Sequence, residues 1–442
     1  MSNEAAIATI EPLGAPLKGC CRVPGDKSIS HRAVLFAAMA EGTSHLEGVL
    51  DSADVRASIA AVEKLGAKVD LAVQVDGSLA GTIEGWGSRG PVQPDGPIDC
   101  GNSGTTARLL MGMLAPWDIA VTIEGDASLS KRPMRRITAP LMKMGVSFEP
   151  AGAETLPITE RGTAHLKAIT YNSPMASAQL KTAVLLAGAY ADGTTELNEP
   201  SVSRNHTELM LPEFGVSTTA GDRTAQVKGP AVLKAADVKV PGDPSSAAYL
   251  VCAACLKRDS EITVQDVSLN TARTGFLITL ERMGADVMPK RTGLSGKEPV
   301  GSITARWVPR LRGCEIPGHK IAGLVDEVPV LSLVAAFAHG MTVFRNVEEL
   351  RAKESDRLDA IVCGLAQLGV DAWTEGDDLF IEGQPDLQVP DGLVLDARGD
   401  HRLAMTWSLV GLVGSKPVQV TDFDSVAVSY PDFLKDIKEL SR

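Results

Sequence analysis

The chain has 442 residues, which is too long for one ordinary hydrophobic core, so two domains are expected. Its formal net charge of -12 and its aromatic content of 4% argue against nucleic acid as a partner, because such binding needs a basic face and stacking rings. No apolar run approaches the roughly 20 residues that span a bilayer, and residues 1–10 do not resemble a secretory signal, so we expect a cytoplasmic protein without membrane contact.

One pattern recurs along the chain: a helix ends in a glycine, and a strand follows directly. The glycines of this pattern are Gly66, Gly145, Gly215, Gly284 and Gly369. Glycine suits a left-handed helix C-cap, and the spacing of about 70–85 residues is that of a βαβαββ unit. The sequence therefore predicts five complete units of an α/β fold.

A sixth unit begins at Asp400–Ala404, continues with a strand at Pro417–Thr421 and a helix near Pro431, and lacks closing strands after that. Two short strand-like runs, Ala6–Ile10 and Gly19–Val23, precede the first unit. We expect these runs to complete the sixth unit, which would make one domain discontinuous.

The motif VPGDKS at Val23 reappears as VPGDPSS at Val240, and an apolar helix follows each copy. Proline and glycine at both places suit two chain crossings between domains, near residues 23–26 and 240–244. We therefore predict two similar domains of three units each. The first spans residues 26–239, and the second combines residues 1–25 with 240–442.

Polar motifs lie at the predicted starts of the helices, and they carry many basic residues. These are Lys27, Arg32, Arg132, Arg204, Lys353, Arg357 and Arg402. Because a helix N-terminus carries partial positive charge, cations are normally unfavourable there, and their accumulation in an acidic protein indicates a site for strongly anionic ligands. The alternative for Lys353 and Arg357, which are four residues apart, is one face of an exposed, salt-bridged helix.

Motifs for other ligands are missing. GDKSISHR (Gly25–Arg32) is no P-loop, because Asp26 separates the glycine from the lysine, and GNSGTT (Gly101–Thr106) is no dinucleotide fingerprint. Seven cysteines are scattered along the chain, and the pair Cys252 and Cys255 lies in an apolar run without a second pair. With no paired Cys/His set and no acidic calcium loop, we expect no bound metal.

Six motifs occur in the order and spacing of one family: GDKSISHR, GNSGTTAR, ASAQLKTAVLLAG, DEVPVL, AKESDR and DHRLAM. Through them the sequence closely resembles the EPSP synthase family over essentially the whole chain. The resemblance implies an α/β fold of two similar domains, each of three repeated βαβαββ units (an inside-out α/β barrel), with a ligand cleft between them. It also implies a monomer that needs no cofactor and transfers the enolpyruvyl group of phosphoenolpyruvate to the 5-hydroxyl of shikimate 3-phosphate.

The resemblance further implies which residues bind the two substrates. Those expected to contact shikimate 3-phosphate are Lys27, Ser28, Arg32, Ser177, Ala178, Gln179, Arg204, Asp326 and Lys353. Those expected to contact phosphoenolpyruvate are Lys27, Gly104, Arg132, Gln179, Arg357 and Arg402, with Asn102 and Thr105 shaping the loop. Because Gly104 leaves room beside phosphoenolpyruvate, sensitivity to glyphosate is expected.

Three of these residues are assigned to the chemistry. Glu354 is the candidate for proton delivery to the methylene carbon and later removal, Asp326 is the candidate base at the hydroxyl, and Lys27 assists near the bridging oxygen. The neighbouring Glu327 and Asp356 are expected to orient cations or to cap helices.

One departure and two alternatives accompany this interpretation. Val428 lies where many family members carry a lysine, so phosphoenolpyruvate is expected to have one cation fewer. A sister enolpyruvyl transferase acts on UDP-N-acetylglucosamine, but it places a Cys or Asp in a loop near the donor, and Ala127–Arg135 contains no Cys. A non-catalytic anion-binding protein could share the repeats, but it would not need Lys27, Asp326 and Glu354 together.

Overall fold

The computed structural model describes residues 7–221 and 223–442 and divides into two compact lobes. The central lobe comprises Gly25–Pro241 together with Leu294–Glu298. The terminal lobe combines the chain up to Pro24 with Gly242–Gly293 and Pro299–Arg442. Each lobe therefore depends on chain segments that are far apart in sequence.

The elements follow the chain through both lobes. The terminal lobe begins with β1 (Ala8–Ile10) and β2 (Lys18–Cys21). The central lobe contains α1 (Lys27–Met39), β3 (Thr43–Val49), α2 (Ala53–Lys64), β4 (Lys68–Val73), β5 (Leu79–Glu84), β6 (Ile98–Asp99), α3 (Gly104–Leu114), β7 (Ala120–Glu124), α4 (Arg135–Met144), β8 (Ser147–Glu149), β9 (Ile158–Arg161), β10 (Thr170–Asn172), α5 (Ala178–Tyr190), β11 (Gly193–Asn198), α6 (His206–Met210), β12 (Thr218–Ala220), β13 (Thr224–Gly229) and β14 (Asp237–Lys239).

The remaining elements lie mainly in the terminal lobe. They are α7 (Pro244–Leu256), β15 (Glu261–Ser268), α8 (Gly275–Arg282), β16 (Asp286–Ser295), β17 (Glu298–Arg306), β18 (Glu315–Ile316), α9 (Gly318–Ile321), α10 (Val328–Ala336), β19 (Gly340–Phe344), α11 (Arg357–Gln367), β20 (Ala372–Glu375), β21 (Asp378–Gly383), β22 (Val394–Leu395), α12 (His401–Val413), β23 (Val418–Val420) and α13 (Phe433–Glu439). Among the residues described, no helix combines the length and apolarity needed to cross a bilayer.

The sheets show how the repeated unit is built. In the central lobe the strand orders are β14-β3-β5-β4, β6-β7-β9-β8 and β10-β11-β13-β12. The first pair of each sheet is parallel, and the other pairs are antiparallel. A parallel pair needs a crossover, which a helix supplies, whereas the closing antiparallel pair needs only a hairpin. The α/β fold with repeated βαβαββ units is confirmed.

The terminal lobe repeats this order and shows where the N-terminal strands belong. Its sheets are β2-β15-β17-β16, β18-β19-β21-β20 and β1-β23-β22. Ala8 pairs with Val420, so β1 does complete the sixth unit as predicted, although Ala6 lies outside the described residues. The prediction is wrong for the second run, because β2 runs parallel to β15 and supplies the first strand of the fourth unit.

The helix-ending glycines have the backbone conformation that the sequence predicts. Their φ angles range from +78° at Gly215 to +111° at Gly145. A side chain is disfavoured in this left-handed region, which explains why glycine recurs where a helix must stop and a strand must begin. The five predicted helix C-caps are thus confirmed.

The helix that opens each unit is apolar on nearly all sides and is buried for that reason. In the central lobe these helices are α1, α3 and α5, and in the terminal lobe they are α7, α10 and α12. The core of the central lobe and that of the terminal lobe form separate clusters of buried residues. Several residues assigned to the site from the sequence lie in the first turns of α1, α3, α5 and α12.

The two chain crossings place α1 and α7 in matching ways. Asp26 N donates to Pro241 O at 2.8 Å within the central lobe, and Asp243 N donates to Pro24 O at 2.9 Å within the terminal lobe. A side chain at Gly25 would meet Gly48 O at 2.0 Å, so only glycine fits there. Each crossing therefore fixes the start of the helix that follows it.

Candidate active site

Helix α1 opens with a capped turn that presents Lys27. Asp26 caps the helix by accepting a hydrogen bond from Ile29 N at 2.9 Å. Lys27 Nζ lies 2.6 Å from Asp54 Oδ2, and both side chains are largely buried. Asp54 belongs to the first turn of α2, so the start of a second helix supplies the carboxylate that keeps this cation in place.

Arg32 lies deeper than a surface ligand-binding residue. It is only 2% exposed, and its guanidinium donates to Thr207 Oγ1 at 2.9 Å and to Thr182 Oγ1 at 2.7 Å. A third bond reaches Ser28 O at 2.8 Å. The structure thus places Arg32 as a connection between α1, α5 and α6, and its predicted contact with shikimate 3-phosphate stays a prediction.

A second group surrounds the start of α3. Arg108 Nη1 donates to Gln179 Oε1 at 2.9 Å, and Gln179 Nε2 donates to Thr105 Oγ1 at 3.0 Å. A Cβ on Gly104 would lie 2.9 Å from Arg108 Nη1 and 3.4 Å from Arg132 Nη1. The structure therefore brings Gly104, Thr105, Arg132 and Gln179 together, as the sequence assigned them to one site.

Arg108 is a member of this group that the sequence analysis did not assign to the site. Its side chain is buried, although it belongs to GNSGTTAR, which was singled out. The spacing in the sequence could have indicated it, because Arg108 follows Gly104 by four residues and residues four apart lie on one helix face.

Arg132 is held by polar atoms of the neighbouring loop. It donates to Asn102 O at 3.3 Å and to Ser128 Oγ at 3.1 Å, and it also contacts the Asn102 side chain. Its Nε is buried and has no hydrogen-bond partner among the described residues. Asn102 thus shapes the loop around this arginine.

The start of α5 and the loop before α6 carry further residues that were assigned to shikimate 3-phosphate. Ser177 caps α5, and its backbone N donates to Glu199 Oε1 at 3.0 Å. Arg204 Nη1 lies 3.3 Å from Ser28 Oγ, which brings together two predicted ligands that are 176 residues apart. Ala178 is the first residue of α5 and contributes no polar side chain there.

The terminal lobe holds a separate group centred on Asp326. Asp326 Oδ1 lies 3.1 Å from Arg357 Nη1 and 3.8 Å from Lys353 Nζ, and Oδ2 lies 3.6 Å from Arg402 Nη2. Glu354 Oε2 pairs with Arg357 Nη2 at 2.6 Å. Every residue that the sequence assigned to this lobe therefore lies in one cluster of alternating charges.

Arg357 is the most enclosed cation of this group, with 1% exposure. Burial opposes its charge, but the attraction of Asp400, Glu354 and Asp326 outweighs burial and holds the pKa of Arg357 well above its ordinary value. Burial also opposes the charge of Arg402, whose pKa is nevertheless raised because of Asp326. Both guanidinium groups therefore remain charged in the folded protein.

The exposed, salt-bridged helix proposed as an alternative for Lys353 and Arg357 does not exist. Lys353 follows a 3-10 helix, Glu348–Ala352, while Arg357 is the first residue of α11. Lys353 does pair with Glu349 at 2.6 Å, but the burial of Arg357 contradicts an exposed helix face. Their expected position on one helix is wrong, because Asp356 caps a new helix between them.

Val428 ends a 3-10 helix, Phe423–Val428, that packs against α12. Helix α12 carries Arg402 in its first turn. Because valine has no charge, position 428 adds no cation beside this helix. Within the described part of the chain, no group of three or more His, Cys, Asp or Glu side chains could hold a metal ion.

Comparison with known proteins shows which family the chain resembles. The family described as EPSP synthase (3-phosphoshikimate 1-carboxyvinyltransferase) matches residues 13–437. The chain is 41% identical to the 3-phosphoshikimate 1-carboxyvinyltransferase of Bacillus pumilus (strain SAFR-032), covering 97% of this chain and 98% of the relative. For the enzyme of the same name from Xanthomonas campestris pv. campestris (strain B100), the identity is 43%, with 95% and 94% covered.

Solved structures give a consistent result. EPSP synthase from Acinetobacter baumannii superposes with a TM-score of 0.86 at 37% identity and covers 98% of both chains. The enolpyruvyl transferase NikO from Streptomyces tendae shares the fold, with a TM-score of 0.78 at 19% identity, covering 99% of this chain and 98% of the other. Sequence motifs, repeated units and these comparisons agree, and the chain belongs to the EPSP synthase family.

Proposed function

We propose that this protein transfers the enolpyruvyl group of phosphoenolpyruvate to the 5-hydroxyl of shikimate 3-phosphate, releasing phosphate. Membership of the family over residues 13–437 supports this reaction. The single structural observation that carries it is the cluster in which Asp326 lies within 4 Å of Arg357, Lys353 and Arg402. Such a cluster combines a carboxylate that can act as a base with cations that can bind both the carboxylate and the phosphate of phosphoenolpyruvate.

Several residues of the central lobe are assigned to the acceptor substrate in this proposal. In the central lobe, Lys27, Ser28, Ser177, Gln179 and Arg204 bind shikimate 3-phosphate. Lys27, Ser28, Ser177 and Gln179 lie at the capped starts of α1 and α5, and Arg204 contacts Ser28. These positions support the assignment, because free helix N–H groups and cations both attract phosphate.

Phosphoenolpyruvate is assigned to arginines from both groups. Arg402 Nη1 is buried without a hydrogen-bond partner among the described residues, as is Arg132 Nε. A buried guanidinium with a donor to spare gains a charge-assisted hydrogen bond when a carboxylate or phosphate arrives. In the terminal lobe, Arg357 and Arg402 would therefore orient the donor. Arg132 and Gly104 of the central lobe keep the assignment to the donor that was made from the sequence.

The proposed chemistry is addition followed by elimination. Glu354 delivers a proton to the methylene carbon, the 5-hydroxyl oxygen bonds to C2, and Asp326 takes the hydroxyl proton. The C2–O bond to phosphate then breaks, and Glu354 removes a proton from the methyl carbon to restore the double bond. Lys27 stabilises charge on the bridging oxygen, and the activated donor makes a cofactor unnecessary.

Phosphate release from phosphoenolpyruvate, measured with and without shikimate 3-phosphate, tests the reaction. Release that depends on shikimate 3-phosphate would support it, and release that depends on UDP-N-acetylglucosamine would assign the chain to the sister reaction. The names of the relatives do not favour the sister reaction.

The variant Glu354→Gln separates an enzyme from an anion-binding protein. Because the amide cannot supply or take the proton, we expect kcat to fall at least about 100-fold while both substrates still bind. Exposed Glu348, six residues earlier, gives the matched control Glu348→Gln, which should keep wild-type kcat. Substrate binding is measured by calorimetry. A Glu354→Gln variant that binds both substrates and keeps wild-type kcat would contradict the assigned role.

A further inference from the structure

A second polar network lies in the terminal lobe and contains none of the residues assigned to substrate. It consists of Asp243, Ser245, Arg273 and Glu327, each at most 4% exposed. Asp243 and Ser245 belong to the start of α7, Arg273 precedes α8, and Glu327 directly precedes α10. The network therefore connects three helix starts inside the protein.

Arg273 joins the members of this network. Its Nη2 donates to Asp243 Oδ1 at 2.8 Å and to Ser245 Oγ at 2.9 Å. Asp243 Oδ1 also accepts from Ser245 N at 2.7 Å, which caps α7. Ser245 Oγ in turn donates to Glu327 Oε1. A chain of hydrogen bonds thus runs from the buried arginine to the residue beside Asp326.

Helix α7 reaches the catalytic group at a second point. Tyr249 lies one turn after Ser245 on the same helix face, and its hydroxyl donates to Arg402 O at 3.2 Å. One face of α7 therefore contacts both Glu327, the neighbour of Asp326, and the backbone of Arg402. These contacts set the positions from which Asp326 and Arg402 face each other at 3.6 Å.

Stability alone does not account for the network. Burying charged groups is costly, and apolar replacements of similar size are often neutral or stabilising. A buried guanidinium that spans two acceptors instead fixes direction, because its donors lie in a rigid plane. The cost of burial is understandable if the turn that carries Asp326 must be held in one orientation.

We propose that Arg273 is a positioning residue that acts through Ser245 and Glu327 to hold Asp326 in its working orientation. This inference rests on the proposed function, in which Asp326 is the base at the acceptor hydroxyl. It concerns the rate of the chemical step more than substrate affinity, because the variants below remove no cation that is assigned to a substrate and Arg357 keeps its bonds to Glu354 and Asp400. A misplaced base slows proton removal even when both substrates are bound.

The test compares Ser245→Ala with Ser246→Ala in the phosphate-release assay. Ser246 is the adjacent buried serine and makes no described bond to Glu327, so it is the matched control. We expect kcat of Ser245→Ala to fall about 10-fold, with KM for both substrates within about threefold of wild type. Ser246→Ala should keep wild-type kcat. Equal kcat in the two variants would overturn the proposal.

Arg273→Lys provides an independent second variant, because lysine keeps the charge but loses the planar fork. Its kcat should also fall about 10-fold, and the double variant with Ser245→Ala should lose no more than the worse single one, since both act through one chain. Additive losses, or a loss confined to melting temperature, would overturn the positioning role. An inactive wild-type protein would instead overturn the proposed function itself.

Discussion

At the scale of single residues, every cation of the candidate site described here has a carboxylate or polar partner from a distant segment. Lys27 pairs with Asp54, and Arg357 pairs with Asp400 at 2.7 Å. A cation at a helix N-terminus is unfavourable by about 0.3–1 kcal/mol. The paired carboxylates offset this penalty, which explains how an acidic protein keeps arginine and lysine at helix starts.

Gly104 is the residue at which the structure makes the sharpest residue-scale prediction. Gly104→Ala would place a Cβ 2.9 Å from Arg108 Nη1, and Arg108 is fixed by Gln179. The Arg108 guanidinium must therefore shift. Arg132 Nη1 lies 0.5 Å farther from the added Cβ, at 3.4 Å. We expect kcat/KM for phosphoenolpyruvate to fall about 10-fold, chiefly through KM, as measured by steady-state kinetics.

Gly96→Ala is the control for this variant. A Cβ at Gly96 meets nothing within 4 Å, so its kinetics should equal those of the wild type. An unchanged KM for phosphoenolpyruvate in Gly104→Ala would contradict the assignment of Gly104 and Arg132 to the donor.

At the scale of elements, helix caps place the functional side chains. Asp356 Oδ1 accepts from Asp359 N at 3.0 Å and so caps α11 immediately before Arg357. Its expected role as a helix cap is confirmed. The start of a helix is thereby fixed at the residue whose guanidinium the site requires.

Removing this cap gives an element-scale prediction. Asp356→Ala should destabilise the protein by about 1 kcal/mol and lower its melting temperature by about 2–4 °C, whereas Asp356→Asn should lose little, because asparagine also caps helices. Differential scanning calorimetry of the two variants measures this. Equal melting temperatures for Ala and Asn would mean that the cap contributes nothing measurable.

Strand β9 carries a carboxyl group whose ionisation should affect stability. Glu160 is 1% exposed, and neither carboxyl oxygen has a hydrogen-bond partner among the described residues. Its cross-strand neighbours are Val121 and Phe148, and burial raises the pKa of Glu160 well above its ordinary value. Folding therefore disfavours the ionised form of this group, which lies beside apolar cross-strand neighbours.

The raised pKa fixes the sign of the pH dependence. An unfolded glutamate ionises near a pKa of about 4.3, so raising the pH above this value favours the unfolded chain until the folded group also ionises. Glu160→Gln should remove this loss, and its melting temperature should rise relative to wild type as the pH increases from about 5 to 8. Exposed Glu63→Gln serves as the control, and a difference that does not grow with pH would contradict the prediction.

At the scale of the whole molecule, the two hydrophobic cores are separate. One core draws on residues between Ile29 and Val240, and the other on Ile10–Val23 together with residues from Ala247 onward. We propose that these cores define two domains with boundaries close to those predicted from the repeated motif. Each core then holds its own three sheets in place.

This separation predicts that the central lobe folds without the rest of the chain. Residues 25–241 expressed alone should show a cooperative thermal transition with native-like secondary structure, because their core is internal. Circular dichroism measures the transition. The missing segment Leu294–Glu298 should lower the melting temperature without abolishing the transition, and a featureless melting curve would contradict independent folding.

The sequence by itself determined the features that depend on neighbouring residues. Gly66 and Gly369 mark helix ends because a left-handed C-cap is a local requirement, and Asp356 caps a helix for the same reason. The repeated glycine pattern was enough to predict the βαβαββ units, and the six motifs were enough to indicate the family. None of these conclusions required knowing which distant segments touch.

Only the tertiary structure decided which distant groups meet. It joined β2 to β15, turned Arg32 inward between α5 and α6, and brought Gln179 beside Arg108. It also placed Arg273 in contact with Ser245. The physical reason is that a strand's partner and a buried cation's counter-charge are set by the path of the whole backbone, whereas a helix end is set by its own few residues.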